Sequence, residues 1–287
     1  MTFDLTHARH DPAHCLAPGL FRSLKRGDRK KLKLDVKYIY GSSTVRFWGP
    51  EPLGADDMRV LQGLVAMSAV SGENGRGILL HPEPHSEAGQ QLRLLLETRF
   101  DAIAQDALVI KGSYRQLARE IGYADIDGGA AFKAIRECIE RLWAVSVIAE
   151  TEGRRQGFRI LSEYSSDDAT GRLFVALNPR LADAVMGNAQ HLRIEMTEVR
   201  QLSSDPARLM HQRLHWINEG RTERVGIDVL CSYIWPDETE NPNTQKTRRQ
   251  TARKALKELV DAGWLYNEYA PGKFEITRPK QRRDLNS

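Results

Sequence analysis

The sequence predicts a mixed α+β fold: a helix–turn–helix followed by a β-hairpin, occurring twice in tandem behind a basic N-terminal arm. Three observations predict it. Apolar residues recur at helical spacing in two separate groups of segments, each followed by two short strand-like runs. The chain has 287 residues, 41% hydrophobic and 28% charged, the balance of a folded protein long enough for two cores of ordinary size. Its formal net charge of +4 is unevenly spread, with basic ends around an acidic middle.

Residues 1–37 mix proline, glycine and basic residues with little periodicity, the pattern of an arm that is partly ordered at most. Weak alternation from Tyr38 to Trp48 suggests a hairpin turning at Gly41, Ser42 and Ser43. Gly49–Pro52 breaks it, and a helix starts at Asp56 with Met58, Leu61, Leu64 and Val65 on one face. Gly72–Gly77 reads as a turn, and Leu92–Leu96 as an apolar helix or strand. Ser113 is placed to cap a short helix that buries Tyr114, Leu117, Ala118 and Ile121. After a turn over Gly122–Gly129, a longer helix from Ala130 to Trp143 buries Ile135, Ile139 and Leu142. Strands follow at Val145–Ala149 and Phe158–Tyr164, joined by a loop over Glu152–Gly157.

The order then recurs. Ala207, Met210, Leu214 and Ile217 mark a helix, Ile227–Trp235 a short one, and Asp237–Asn243 a polar loop. A long helix from Thr244 to Ala262 buries Ala252, Ala255, Leu256, Leu259 and Val260 and stops at Gly263. Trp264–Tyr269 and Lys273–Thr277 form a hairpin turning at Ala270, Pro271 and Gly272. Helix, turn, helix and hairpin is the order of a winged helix. The expected domains are the arm over 1–37, one winged helix over 38–170 and a second over 171–287.

The charge distribution suggests what such modules would bind. Residues 1–50 carry ten Lys/Arg against four Asp/Glu, and residues 244–287 carry eleven against five, so each end is +6 and the middle sums to −8. Local basic footprints of this kind fit a polyanion. On the second long helix Lys246, Arg249 and Arg253 recur at spacings of three and four, with Arg248 and Lys257 beside them. Gln245 and Thr247 add groups that can hydrogen-bond base edges. Arginine can pair bidentately with guanine and glutamine with adenine, each worth about 1–3 kcal/mol against a wrong base. Lys273 in the second wing joins this set. In the first unit Lys133 and Arg136 lie on the outer face of the long helix, while Arg154 and Arg155 at the wing are suited to phosphate. Double-stranded DNA is the expected partner.

Other functions find little support. No run approaches 18 consecutive apolar residues, and the N-terminus lacks the apolar stretch of a signal peptide, so no membrane partner is expected. Cys15, Cys138 and Cys231 are odd in number and far apart, which fits a reducing cytoplasm. There is no phosphate-binding loop ending in Gly-Lys-Ser/Thr and no pair of histidines one residue apart, as a rolling-circle nickase needs. His7, His10, His14 and Cys15 lack a second cysteine pair, and His211 and His215 lack the glutamate pattern of a zinc protease, so neither group is expected to hold a metal. Asp56–Asp57 and Asp167–Asp168 are adjacent pairs and point apart on a helix. The expectation is a non-enzymatic protein without a cofactor.

Several long stretches carry a resemblance: HDPAHCLAPGLFRSLKRG (10–27), GPEPLGADDMRVLQGLVAM (49–67), CIERLWAVSVIA (138–149), RRQGFRILSEY (154–164), ALNPRLADAVM (176–186) and GKFEITRP (272–279). The chain resembles the replication protein C family of IncQ-type broad-host-range plasmids, bacterial initiators of plasmid replication. The resemblance implies binding to iterons, the direct repeats of the origin. It also implies opening of adjacent AT-rich DNA and cooperation with a plasmid-encoded helicase and primase. In related winged-helix initiators the first module can serve dimerisation, so a homodimer is a further expected partner. Two alternatives stay open at this point: a winged-helix repressor binding an inverted repeat, and a non-catalytic adaptor whose wings meet helicase subunits.

Overall fold

The computed structural model describes residues 6–68, 77–80, 107–124, 126, 129–167 and 170–280. The expected turn at 72–76 and the apolar run Leu92–Leu96 lie outside these residues. In chain order the first elements are β1 (His7–His10), α1 (Pro12–Cys15), α2 (Asp28–Lys31), β2 (Leu34–Tyr40), β3 (Ser43–Gly49) and α3 (Ala55–Ser68). Then come β4 (Gly77–Leu80), β5 (Ala107–Ser113), α4 (Tyr114–Glu120), α5 (Gly129–Ala144), β6 (Ser146–Thr151), β7 (Arg154–Arg159), β8 (Leu161–Asp167), β9 (Arg172–Leu177) and α6 (Pro179–Met186). The remainder is β10 (Leu192–Glu195), α7 (Met196–Gln201), α8 (Asp205–Leu214), β11 (Thr222–Gly226), α9 (Ile227–Ile234), α10 (Pro242–Asp261), β12 (Leu265–Ala270) and β13 (Lys273–Thr277). The fold is mixed α+β.

One order of elements occurs twice: helix, strand, helix, long helix, hairpin. It runs α3–β5–α4–α5–β6–β7 in the first half, where β4 also stands between α3 and β5, and α8–β11–α9–α10–β12–β13 in the second. The second copy closes a three-stranded sheet, β11–β13–β12. In the first copy the hairpin joins β2 and β3 in the sheet β2–β3–β6–β7, while β5 belongs to another, β4–β5–β9–β8. The hairpin β8–β9 pairs Asp167 with Arg172, so strand pairing crosses residue 170, where the sequence suggests a boundary.

The N-terminal stretch corrects the expected arm. β1 pairs antiparallel with β10, and Ala8, His10, Ala13, His14, Cys15 and Leu20 are buried. Asp11 caps α1 by accepting from the Ala13 N–H, with Pro12 at the first helical position, where its missing N–H costs nothing. The β1–β10 pairing is with a partner far along the chain, which local periodicity does not reveal. The hairpin β6–β7, expected as the first wing, is also tighter than expected. Its turn is only Glu152 and Gly153, with φ of +50° and +79°, so Arg154 and Arg155 start β7 instead of lying in a loop. The run Phe158–Tyr164 is not one strand, because the chain passes from one sheet to another at the buried Ile160.

In the second half, α10 starts earlier than Thr244. Asn241 caps it by accepting from the N–H groups of Asn243 and Thr244, and Pro242 follows. Its buried stripe is Ala252, Ala255, Leu256 and Leu259; Val260, expected there, is 43% exposed. Ile217 is buried but lies beyond the end of α8.

Asp57 ties the first unit together. The carboxylate is fully buried on the first turn of α3. It accepts from Arg29 Nη1 at 3.0 Å, Arg141 Nε at 2.8 Å and the Gly54 N–H at 2.7 Å. One oxygen pair thus joins the N-terminal segment, α3 and α5. Removing the carboxylate leaves Arg141, 16% exposed, and the buried Gly54 N–H without their acceptor, at about 3–5 kcal/mol. We expect Asp57→Ala to lose that much stability in urea unfolding. Its exposed neighbour Asp56→Asn should change stability by less than about 1 kcal/mol.

Burial and the proximity of His14 move the pKa of His10 from 6.5 down to about 4. Between pH 6.5 and 4 the unfolded chain therefore binds a proton that the folded chain does not. Stability from this group is present above pH 6.5 and is lost as pH falls towards 4, a change on the order of 3 kcal/mol. In unfolding measured at pH 7 and pH 4.5, His10→Gln should show a shallower loss than the wild type.

Candidate nucleic-acid interface

α10 packs Ala252, Ala255, Leu256 and Leu259 against α8, α9 and β12, which fixes the face it leaves to solvent. That outer face carries Lys246, Thr247, Gln250, Lys254 and Lys257, all exposed, with Lys246, Gln250, Lys254 and Lys257 at spacings of four and three. Of these, Gln250 and Lys254 are not among the residues that charge spacing singles out. The signal that finds them is the position opposite the buried stripe.

The arginines behave differently from the lysines. Arg249 lies to one side of the outer face and donates to Asp228 through Nε at 2.8 Å and Nη2 at 3.0 Å. Arg253 Nη2 donates to Glu268 on β12 at 2.9 Å, with its guanidinium over the Phe274 ring. Arg248 Nη1 donates to the Asp237 carbonyl at 2.5 Å and lies over Trp235. Gln245 Nε2 donates to the Thr239 carbonyl at 2.7 Å, and Thr247 Oγ1 to the Asn243 carbonyl at 2.9 Å. The cations and amides at the start of α10 are therefore largely held by the preceding loop and by neighbouring elements.

The hairpin β12–β13 is fastened to this helix. Glu268 also accepts from the Gly272 N–H at 2.7 Å, closing the turn before the exposed Lys273. At the wing's base Trp264 is buried and its Nε1 donates to Glu198 Oε2 at 2.9 Å. The same oxygen is 2.7 Å from His211 Nε2. Burial alone would raise the Glu198 carboxyl; hydrogen bonds from His211 and Trp264 and the charge of Arg278 outweigh it and hold it below its ordinary value. Burial beside His211 and Arg278 pushes His215 well below the usual imidazole range, while its Nδ1 bonds the His211 carbonyl at 2.7 Å. Among the described residues Glu198, His211 and His215 are the group whose donor atoms could meet on a metal, all within 4.8 Å of one another. Glu198 and His211 bond each other, and Glu198 also accepts from Trp264.

In the first unit Lys133 is exposed on α5, and Arg136 is half-buried with its guanidinium over the Tyr114 ring. Arg154 is exposed at the wing turn, and Arg155 pairs with Glu150 at 3.0 Å across the hairpin. A further basic stretch lies at Lys25–Lys33, where α2 buries none of its residues. Lys25, Arg26, Arg29 and Lys30 line a cleft there together with the carboxylates Asp56 and Asp205. His10, His14 and Cys15 are buried in the N-terminal segment rather than in an open arm. Among the described residues, no helix is long and apolar enough to cross a membrane.

The replication protein C (RepC) family model matches residues 2–280. No curated protein matches the chain significantly. A crystal structure of a selenomethionine derivative of domains 2 and 3 of RctB superposes with a TM-score of 0.54 at 11% identity, covering 94% of this chain and 98% of that one. A second structure of RctB domains 2–3 gives 0.53 at 10% identity, covering 92% and 94%. The Pi initiator protein, crystallised in complex with iteron DNA, gives 0.44 at 14% identity over 98% and 100%. The likeness to RctB shows a shared fold over nearly the whole chain.

The base of the second wing yields a direct test. Glu198→Ala leaves the buried Trp264 N–H and the His211 ring without their acceptor, a loss of about 1–3 kcal/mol for each unsatisfied group. Urea unfolding followed by tryptophan emission should show this destabilisation, with a smaller one for Glu198→Gln.

Proposed function

The chain belongs to the replication protein C (RepC) family, and from that premise we propose that it initiates plasmid replication by binding direct repeats at the origin through two winged helices. The observation that carries this reading is the repeated element order, whose second copy turns the exposed Lys246–Gln250–Lys254–Lys257 face of α10 to solvent beside a fastened hairpin. A helix of about this diameter fits the major groove of B-form DNA, and amide and cationic side chains at its outer face can reach base edges and phosphates. The hairpin tips, with Lys273 in one and Arg154 and Arg155 in the other, are suited to the backbone. Lys25–Lys33 would add phosphate contacts.

Each unit would occupy one major-groove face of a repeat, about 34–36 Å from the other along the duplex. Binding several repeats would offset the few kcal/mol that bending or unstacking flexible TA and CA steps costs. Opening of AT-rich DNA would then give a plasmid-encoded helicase and primase their substrate. Those partners would supply the ATP hydrolysis and priming for which this sequence has no recognisable site. The protein itself would act without covalent chemistry, in the bacterial cytoplasm.

Footprinting on the cognate origin at two salt concentrations tests this reading. A ladder of protected direct repeats that weakens steeply with salt is expected. Protection of a lone promoter palindrome would replace the initiator with a repressor, and no protection at low salt would remove DNA binding altogether. Within the same assay, Lys254→Ala and Lys257→Ala should each lower the salt slope by about 1. Arg154→Ala with Arg155→Ala should weaken all sequences alike, whereas a changed sequence preference would contradict the phosphate role.

A further inference from the structure

Arg249 is gripped by one edge only. A guanidinium has five N–H donors, and Asp228 takes the Nε–H at 2.8 Å and one Nη2–H at 3.0 Å. Both Nη1 donors and the second Nη2 donor remain. One Nη1 donor and the second Nη2 donor lie parallel and form the outer fork of the side chain, an edge that can pair with O6 and N7 of guanine. Arg249 is 44% exposed and Asp228 70%, so the fork is open to solvent while the inner edge is held.

The brace itself is firmly placed. Asp228 stands in the first turn of α9, where a carboxylate is favoured by the helix dipole, and α9 packs against α10. An ion pair this exposed contributes little to stability. What it does is fix the rotamers of a long side chain before any ligand arrives, so less conformational entropy is lost when the outer fork makes its bonds. The same carboxylate would face a polyanion. Where no base edge matches the fork, its repulsion goes uncompensated, and a mismatched sequence is disfavoured twice.

We propose that Asp228 is a positioning residue that presents the outer fork of Arg249 to a guanine in the bound repeat, and so sets sequence discrimination more than affinity. The proposal rests on α10 being the helix that reads DNA.

The test compares wild type, Asp228→Asn and Asp261→Asn in binding to a duplex carrying the origin repeat and to a shuffled duplex of equal length. Asp261 is exposed at the end of α10, so its replacement removes the same charge without touching an arginine brace. Asp228→Asn should bind the shuffled duplex about 3–10-fold more tightly with no gain on the repeat, so discrimination falls by at least that factor. Selection from a randomised repeat should show the preference for guanine flattened at one position. Asp261→Asn should strengthen both duplexes alike and leave base preference intact. Circular dichroism melting should shift only slightly in either variant, by the small amount that one exposed helix-end charge contributes. If Asp228→Asn shifts both duplexes equally and keeps every base preference, Asp228 has no positioning role. A wild-type protein that does not distinguish repeat from shuffled DNA overturns the reading of α10 itself, and this role with it.

Discussion

A buried carboxylate has to be met by donors from the protein, and at Asp57 those donors come from separate stretches of chain. Arg29 arrives from the N-terminal segment and Arg141 from α5, while the Gly54 N–H leads into α3 itself. The consequence reaches beyond the first unit. The same N-terminal segment donates the Ser23 N–H to the Ile234 carbonyl at 2.9 Å, and Arg22 pairs with Asp237. Gly19, at a φ of +78°, lies so close to Pro236 that a Cβ there would come within 2.9 Å of its ring. Trp235–Asp237 is the stretch that leads into α10. The chain start therefore braces the approach to the basic helix of the second unit, as well as the core of the first.

On that helix, charge is organised in two ways. Lysines and an amide point outward with no fixed partner among the described residues, which suits contacts that are electrostatic and tolerant of sequence. Arginines lie beside them, each held by an acceptor on another element: Asp237, Asp228 or Glu268. Guanidinium groups used for geometry gain from being fixed in advance, and lysines used as point charges do not need it. The division follows from side-chain chemistry and is consistent with one surface doing two jobs, backbone attraction and base reading.

Much of this was legible in the sequence, and the failures share a cause. Elements with strong local periodicity, such as α3, α4 with its Ser113 cap, α5 and α10, lie close to where spacing places them. β1 and β10 are four residues each and exist because they pair with each other, so neither carries a local signature. The same is true of β11, which pairs with β13 across the second unit. The N-terminal segment looked like an arm because its prolines, glycines and basic residues are what arms contain, yet Ala8, Leu20 and Phe21 supply enough apolar surface to be drawn into the core. On α10, charge spacing favoured Arg249 and Arg253, and the braces that hold them lie on other elements. Only the three-dimensional fold puts Asp228 and Glu268 within reach.

The central claim is that the outer face of α10 and the wing beside it lie against DNA. Lysine acetylation footprinting, read by mass spectrometry on the free protein and on its complex with an origin duplex, addresses that contact directly. Lys246, Lys254, Lys257 and Lys273, all exposed in the free chain, should lose reactivity together when the duplex is bound. Unchanged reactivity at these four lysines, in a sample shown to be saturated with DNA, would contradict the account.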